Sequence, residues 1–308
     1  MKTPRISIII PAYHSSETIA DTLAGLREQT FGDFEVIIVN SSADEETGRI
    51  VEEKFPEAIF EQSTRPLLPH AARNRGVARA QGELLVFTDP DCRPMKDWLQ
   101  RLIDAHDAGH ELVCGALELS DEAEWAERGV HLCKYSFRLS GLRASATWIA
   151  GTGNALCSRD VWNSVGPFDG DRFAGDALFS WRAAVRGWQP WFEPSAVVVH
   201  HYSGSMRALL SERLYRGDDF AATRMEFEGW SRARAAGHII AFPIALLMVL
   251  GRGCSEAVIA GRAQTFLETL PLQFGGHAAW LCGELRAYYR RAVQVARAKN
   301  AVTPLEAE

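Results

Sequence analysis

Residues 84–91 read LLVFTDPD, and the fold is decided by how this stretch is read. Leu84–Thr88 is an apolar run of strand length, as a strand covered on both faces requires. It ends on Asp89-Pro90-Asp91, where residues i and i+2 of an extended chain point the same way. Pro90 fixes its own φ and keeps Asp89 out of the helical region, so both carboxylates are held on one side. An oxygen-only pair of this kind suits Mg²⁺ or Mn²⁺ bridging a diphosphate. The same tripeptide also makes an ordinary Asp-Pro turn with solvated acids, and its place at a strand end favours the functional reading.

Outward from this stretch, strands and helices alternate. Ile6–Ile10 and Phe34–Val39 read as buried strands, and Ala58–Phe60 as a short third one. Between and after them, helices are expected over Ile19–Leu26, capped by Ser15 or Ser16, over Glu46–Phe55 and over Ala71–Ala80. Alternation at this spacing predicts a doubly wound, mostly parallel α/β sheet. Ligands bind beyond the carboxyl ends of such strands, so Pro11–Tyr13, Asn40–Ser42 and Asp89–Asp91 should converge on one crevice. A nicotinamide-dependent dehydrogenase would need GxGxxG after the first strand, where PAYHSSE stands instead. After about residue 110 the pattern loosens. A helix is expected near Glu122–Leu139, a glycine-rich turn at GTGNA (151–155), a helix at Asp176–Arg186 and a strand at Ala196–Val199 before His200-His201.

Composition narrows the class. Apolar residues make up 47% and charged residues 23%, which excludes a disordered chain. Six cysteines stand far apart without a CxxC pair, so neither a zinc site nor a redox motif is signalled. The net charge of -6 argues against general nucleic-acid binding. That charge is uneven, because residues 205–300 hold 13 Lys/Arg against 8 Asp/Glu. The first apolar run breaks at Pro11 and lacks a signal-peptide pattern, which points to the cytoplasm.

Several segments occur in one order: SIIIPAY (7–13), QTFGDFEVIIVN (29–40), ARNRGVARAQGELLVFTDPD (72–91), GTGNALCSRDVWNSVGPFD (151–169), FAGDALFSWRAAVRGW (173–188) and VVVHH (197–201). In this series the chain resembles family 2 glycosyltransferases of the A-type fold over about residues 5–225. The resemblance implies inverting transfer of a sugar from a nucleotide-diphosphate donor to a hydroxyl acceptor, with a Mn or Mg ion as cofactor. Pro11, Ala12 and Tyr13 match the segment that holds the nucleobase. Asn40 stands where an aspartate usually faces the base, and Arg73 matches a basic residue near the nucleotide. Asp89 would contact the ribose, Asp91 the metal, and Gly153 and Asn154 the donor sugar. Asp176 matches the general base of a motif that often reads Glu-Asp, although the first acid is here Gly175. Of the two adjacent histidines, His200 is taken as the metal ligand, since only one can point at the site. A non-catalytic nucleotide-sugar-binding or scaffold protein is the rival reading, motivated by Asn40 and Gly175 replacing expected acids.

On this reading residues 1–235 form the catalytic domain, divided into nucleotide-binding (1–115) and acceptor (116–235) halves, and 236–308 form a helical extension. Ile239–Leu250 is strongly apolar but short and broken by Pro243, so it reads as an interfacial, re-entrant or buried helix. Trp280, Tyr288 and Tyr289 lie among Arg286, Arg290 and Arg291, a combination suited to an anionic membrane surface. The expected acceptor is a cell-surface glycan or lipid-linked intermediate, reached from the inner face of the membrane. A cut near Ala235 should then separate the extension from the nucleotide site.

Overall fold

The computed structural model describes residues 3–201 and 206–293. In chain order the first part carries β1 (Ile6–Ala12), α1 (Ile19–Arg27), β2 (Phe34–Asn40), α2 (Glu46–Lys54), β3 (Ile59–Gln62), α3 (Pro69–Arg79) and β4 (Leu84–Thr88). There follow β5 (Cys92–Pro94), α4 (Trp98–Asp107), β6 (Leu112–Leu119), α5 (Trp125–Tyr135), β7 (Ser145–Ala146), β8 (Asn154–Ser158), α6 (Arg159–Val165), α7 (Gly175–Val185) and β9 (Trp191–His200). The last part is helical: α8 (Met206–Phe227), α9 (Arg232–Ile240), α10 (Phe242–Ile259), α11 (Ala263–Glu268) and α12 (Leu270–Val293).

The strands among the described residues join one sheet in the order β3-β2-β1-β4-β8-β6-β9-β5, with β7 on β9. Alternation along each strand divides its side chains between two cores. Ile8, Ile10 and Val86 face α1 and α4 with Trp98 and Leu102, whereas Ile9, Leu85 and Phe87 face Trp162, Phe168 and Phe179. The β3-β2-β1-β4 half is parallel as expected. The sheet then becomes mixed, because β8 enters antiparallel between β4 and β6. β6 and β9 are parallel to each other. Both oppose β8, so their carboxyl ends return to the same edge as those of β1, β2 and β4. The boundary drawn at residues 115/116 therefore falls inside β6, and both halves share one sheet.

Asn154 holds this junction together. The register between β6 and β9 shifts between Gly115 and Ala116. The Asn154 amide fills the gap, donating to Ala116 O and Ala196 O (both 2.8 Å) and accepting from Trp98 Nε1 at 2.8 Å. With both amide protons and its oxygen used inside the protein, this side chain does not reach a donor sugar. A contact of residues 151–154 with a donor sugar would therefore be made by the backbone of the turn.

The C-terminal helices are not a separable tail. α12 runs beside α8 in the same direction, and two glycines permit the close approach: a Cβ on Gly217 would lie 2.2 Å from Trp280 O, and one on Gly283 would lie 2.1 Å from Leu214 O. Ala221, Met225 and Trp230 are buried against Ala287 and Tyr288. Arg224 donates to the Tyr288 hydroxyl at 2.6 Å. A cut at Ala235 would strip these side chains of their cover and expose core apolar surface. It would also sever α9 (Arg232–Ile240). Residues 294–308 of the proposed extension lie outside the described residues.

Candidate active site

The site lies along the carboxyl edge of the sheet. Leaving β1, Pro11 and Ala12 are buried and Tyr13 emerges 55% exposed. Its ring meets His14 edge-on at 4.6 Å, and His14 takes a left-handed φ of 50° to make the turn. Tyr13 can therefore offer its face to a planar base.

Asn40 is placed differently from expectation. It is fully buried at the end of β2, donates to Gln62 Oε1 at 3.0 Å and accepts from the Ser42 backbone N–H and hydroxyl at 3.3 and 2.9 Å. The amide braces the loop instead of facing a base. The acid nearest this corner is Asp44, unmarked in the sequence reading, with a carboxylate oxygen 3.6 Å from His14 Nδ1. Partial burial pushes Asp44 up, but hydrogen bonds from Ser42 and Thr47 outweigh it and hold the acid below the usual carboxylate range. A carboxylate three residues before Thr47, whose N–H it accepts at 2.9 Å, is a turn-capping pattern that could have been noticed.

Arg73 is 3% exposed and donates to Asp89 Oδ1. Its guanidinium is buried against that carboxylate and not spread on the helix surface. It works from beneath, fixing the carboxylate that does face the crevice. On the other side of Asp89 stands Gly153, where a Cβ would come within 3.1 Å of Asp89 Oδ2. The same turn reaches Asp176 two residues earlier: a Cβ on Gly151 would lie 3.8 Å from Asp176 Oδ2. Gly151–Gly153 is thus flanked by the two carboxylates, one from each part of the chain. Asp176 sits in the first turn of α7, where its Oδ1 accepts from the Ala177 N–H at 2.8 Å.

Asp91 and His200 meet across the β5–β9 pairing, with His200 Nε2 3.6 Å from Asp91 Oδ2. His201, just past the end of β9, meets Asp21 at 3.1 Å instead. Burial, aided by Lys134, pushes His200 down to about 4, which leaves a neutral imidazole with a free lone pair. Its Nδ1 is buried without a partner. Burial and the neighbouring Asp89 push Asp91 up to about 7. Crowded carboxylates beside a neutral imidazole form the electrostatic situation that a divalent cation relieves. A carboxylate and an imidazole are both donors that divalent cations take. Cys92 completes the cluster in space, but burial raises its thiol well above the usual range, so it stays protonated and faces Asp91 at 3.6 Å.

Arg213 packs α8 against α12, and Arg216 lies 5.1 Å over the Phe173 ring. Arg213 lies 4.4 Å over the Trp280 ring, and Arg216 pairs with Glu212 at 2.9 Å.

Solved structures identify the fold. The mannosyltransferase of Pyrobaculum calidifontis, solved with GDP-mannose and Mn²⁺, superposes with a TM-score of 0.64 at 20% identity, covering 94% of this chain and 89% of that one. Staphylococcus aureus TarS 1–349 with UDP-GlcNAc superposes at 0.51 and 17% identity, over 93% and 92%. These likenesses establish the A-type glycosyltransferase fold. The profile of Glycosyl transferase family 2 matches residues 7–166, and the chain belongs to that family. Glycosyltransferase AglE of Haloferax volcanii is 28% identical over 209 residues, 64% of this chain and 67% of that protein. The putative glycosyltransferase EpsH of Bacillus subtilis is 31% identical over 134 residues, 39% of this chain and 36% of that one. The chain thus spans two thirds of the first relative and about a third of the second.

Proposed function

We propose that the protein is an inverting glycosyltransferase that moves a sugar from a nucleotide-diphosphate donor to a hydroxyl acceptor. The observation that carries this reading is the Gly151–Gly153 turn lying between Asp176 and Asp89, beside the Asp91–His200 pair. Tyr13 would cover the base, and Asp89, held by Arg73, would accept hydrogen bonds from the ribose. Asp91 and His200 would hold the cation, which when bound supplies positive charge to the departing diphosphate. Asp176 Oδ2 would take the proton from the attacking hydroxyl as its oxygen bonds to the anomeric carbon and the bond to the diphosphate breaks. The rival scaffold reading drew on Gly175, yet Asp176 remains in place and poised at the crevice. Calorimetry with GDP and with UDP, with and without Mn²⁺, tests the assignment. Affinity that rises with Mn²⁺ for one of them is expected; Mn²⁺-independent binding, or none, overturns it. Release of nucleoside diphosphate from GDP-mannose or UDP-GlcNAc, the donors bound in the two neighbour structures, reports turnover.

The acceptor reading extends to a membrane. α10 is an 18-residue helix with mean hydropathy 1.6, long and apolar enough to cross a bilayer by length and composition, and only 11% of it is buried. Ile240, Ile244, Leu247 and Met248 stand exposed, Leu247 to 72%. The basic aromatic stretch contributes less than its sequence suggests. Tyr288 is buried, Arg290 pairs with Asp218 and Arg291 donates to Trp230 O, leaving Tyr289 and Arg286 outward. Contact with lipid would therefore rest on apolar area, and the protein would take a lipid-linked acceptor from the inner leaflet. Co-sedimentation with phosphatidylcholine vesicles should be nearly independent of salt, and Leu247→Asp with Met248→Glu should abolish it. Binding only to anionic vesicles and only at low salt would return the contact to the arginines.

A further inference from the structure

α3 carries two side chains that reach opposite parts of the site. Arg73 holds Asp89. One turn earlier, on the same helix face, His70 reaches the loop that leads into α7. His70 is 3% exposed, and its Nε2 lies 3.1 Å from Phe173 O, 3.3 Å from the Asp176 backbone nitrogen and 3.8 Å from Asp176 Oδ1. The ring packs against Phe168 at 5.0 Å and covers the Gly175 backbone. A Cβ at Gly175 would lie 2.7 Å from His70 Cδ2 and 2.8 Å from Asp169 O. The missing acid at Gly175 thus has a local cause: the imidazole occupies the space that any side chain there would enter.

Nδ1 is buried without a partner, so Nε2 makes the ring's ties to the turn. Either tautomer makes one: a protonated Nε2 donates to the Phe173 carbonyl at 3.1 Å, and an unprotonated Nε2 accepts the Asp176 N–H at 3.3 Å. Burial keeps the ring neutral, down to about 4, so it adds no charge beside Arg73.

We propose that His70 is a positioning residue for transfer, tying the Phe173–Asp176 turn to the helix that holds Asp89 and so fixing the base carboxylate against the donor. The proposal rests on Asp176 being the base. His70→Ala should lower kcat for donor hydrolysis by about 100-fold, the scale of an ångström-sized misplacement, while the Mn²⁺-dependent Kd for nucleoside diphosphate stays within about twofold. His70→Gln, whose amide can donate to Phe173 O, should recover most of the loss. On an Asp176→Asn background His70→Ala should add nothing further. Crystal structures of the variants provide a reading that needs no substrate: in His70→Ala the Asp176 carboxylate leaves Gly151 while Asp89 stays, and in His70→Gln both stay. Gly175→Ala, which pushes on the ring, should reproduce the kcat loss if His70→Ala fails to fold. An unmoved Asp176, an unchanged kcat, or equal losses in His70→Ala and His70→Gln would overturn the proposal. Normal hydrolysis by Asp176→Asn alone would instead overturn the base assignment.

Discussion

Asp176→Asn should bind nucleoside diphosphate with Mn²⁺ as the unaltered protein does, and lose turnover by about 10²- to 10⁴-fold, the range that general base catalysis contributes. The amide keeps the shape of the carboxylate but cannot take up a proton. It can still accept the Ala177 N–H through its oxygen, so the first turn of α7 survives the change. Its neighbour His70 is tied to the backbone of Phe173 and Asp176 and does not depend on the negative charge. On the proposed assignment, donor affinity would come from Tyr13, Asp89 and the Asp91–His200 pair on other elements. The loss should therefore appear in kcat and leave KM for donor nearly unchanged. The check is single-turnover release of nucleoside diphosphate at saturating donor. Near-normal rates, or lost affinity with normal saturated rates, would move the base elsewhere.

The strands around the nucleotide crevice were legible because burial on both faces leaves a local mark: runs such as Ile6–Ile10 and Phe34–Val39 have little choice of structure. Strand direction leaves no such mark. β8 is a five-residue segment, NALCS, after a glycine turn, and nothing within it says that it will enter the sheet antiparallel. Side-chain direction was not legible where a distant partner decides, since Asn40 turns inward to Gln62 and Arg73 to Asp89. His70 gave no signal as a lone histidine near a helix start; its meaning comes from Gly175, some hundred residues away, leaving room for it. The C-terminal helices were legible as helices from their apolar runs. Their docking depends on Gly217 and Gly283, which read in isolation only as weak points in a helix.

Asp91→Ala should abolish the Mn²⁺-dependent part of nucleoside diphosphate binding, costing more than the roughly 100-fold that loss of an outer-shell partner costs a metal site. His200 remains but offers one neutral nitrogen, and a hard divalent ion is poorly held without carboxylate oxygen. Asp89 does not replace it, because Arg73 already engages its Oδ1. The fold should survive, and the sign of the stability change follows from the pKa. Asp91 is raised to about 7 in the folded protein by burial and Asp89, above its ordinary value of 3.8. Above that ordinary value, folding therefore works against the ionised form, and the penalty grows until pH passes the folded pKa. Removing the carboxyl lifts the penalty, so the metal-free variant should have a Tm at neutral pH equal to or above that of the unaltered protein. Because Asp91 is about one third exposed, solvent screening keeps the gain small. Calorimetric titration of GDP and UDP at fixed Mn²⁺, with thermal melts in EDTA, checks both parts. Retained Mn²⁺-dependent affinity would remove Asp91 from the metal site. A lower Tm at neutral pH with affinity lost would mean that the carboxyl supports the fold, and that binding fails because the crevice has collapsed.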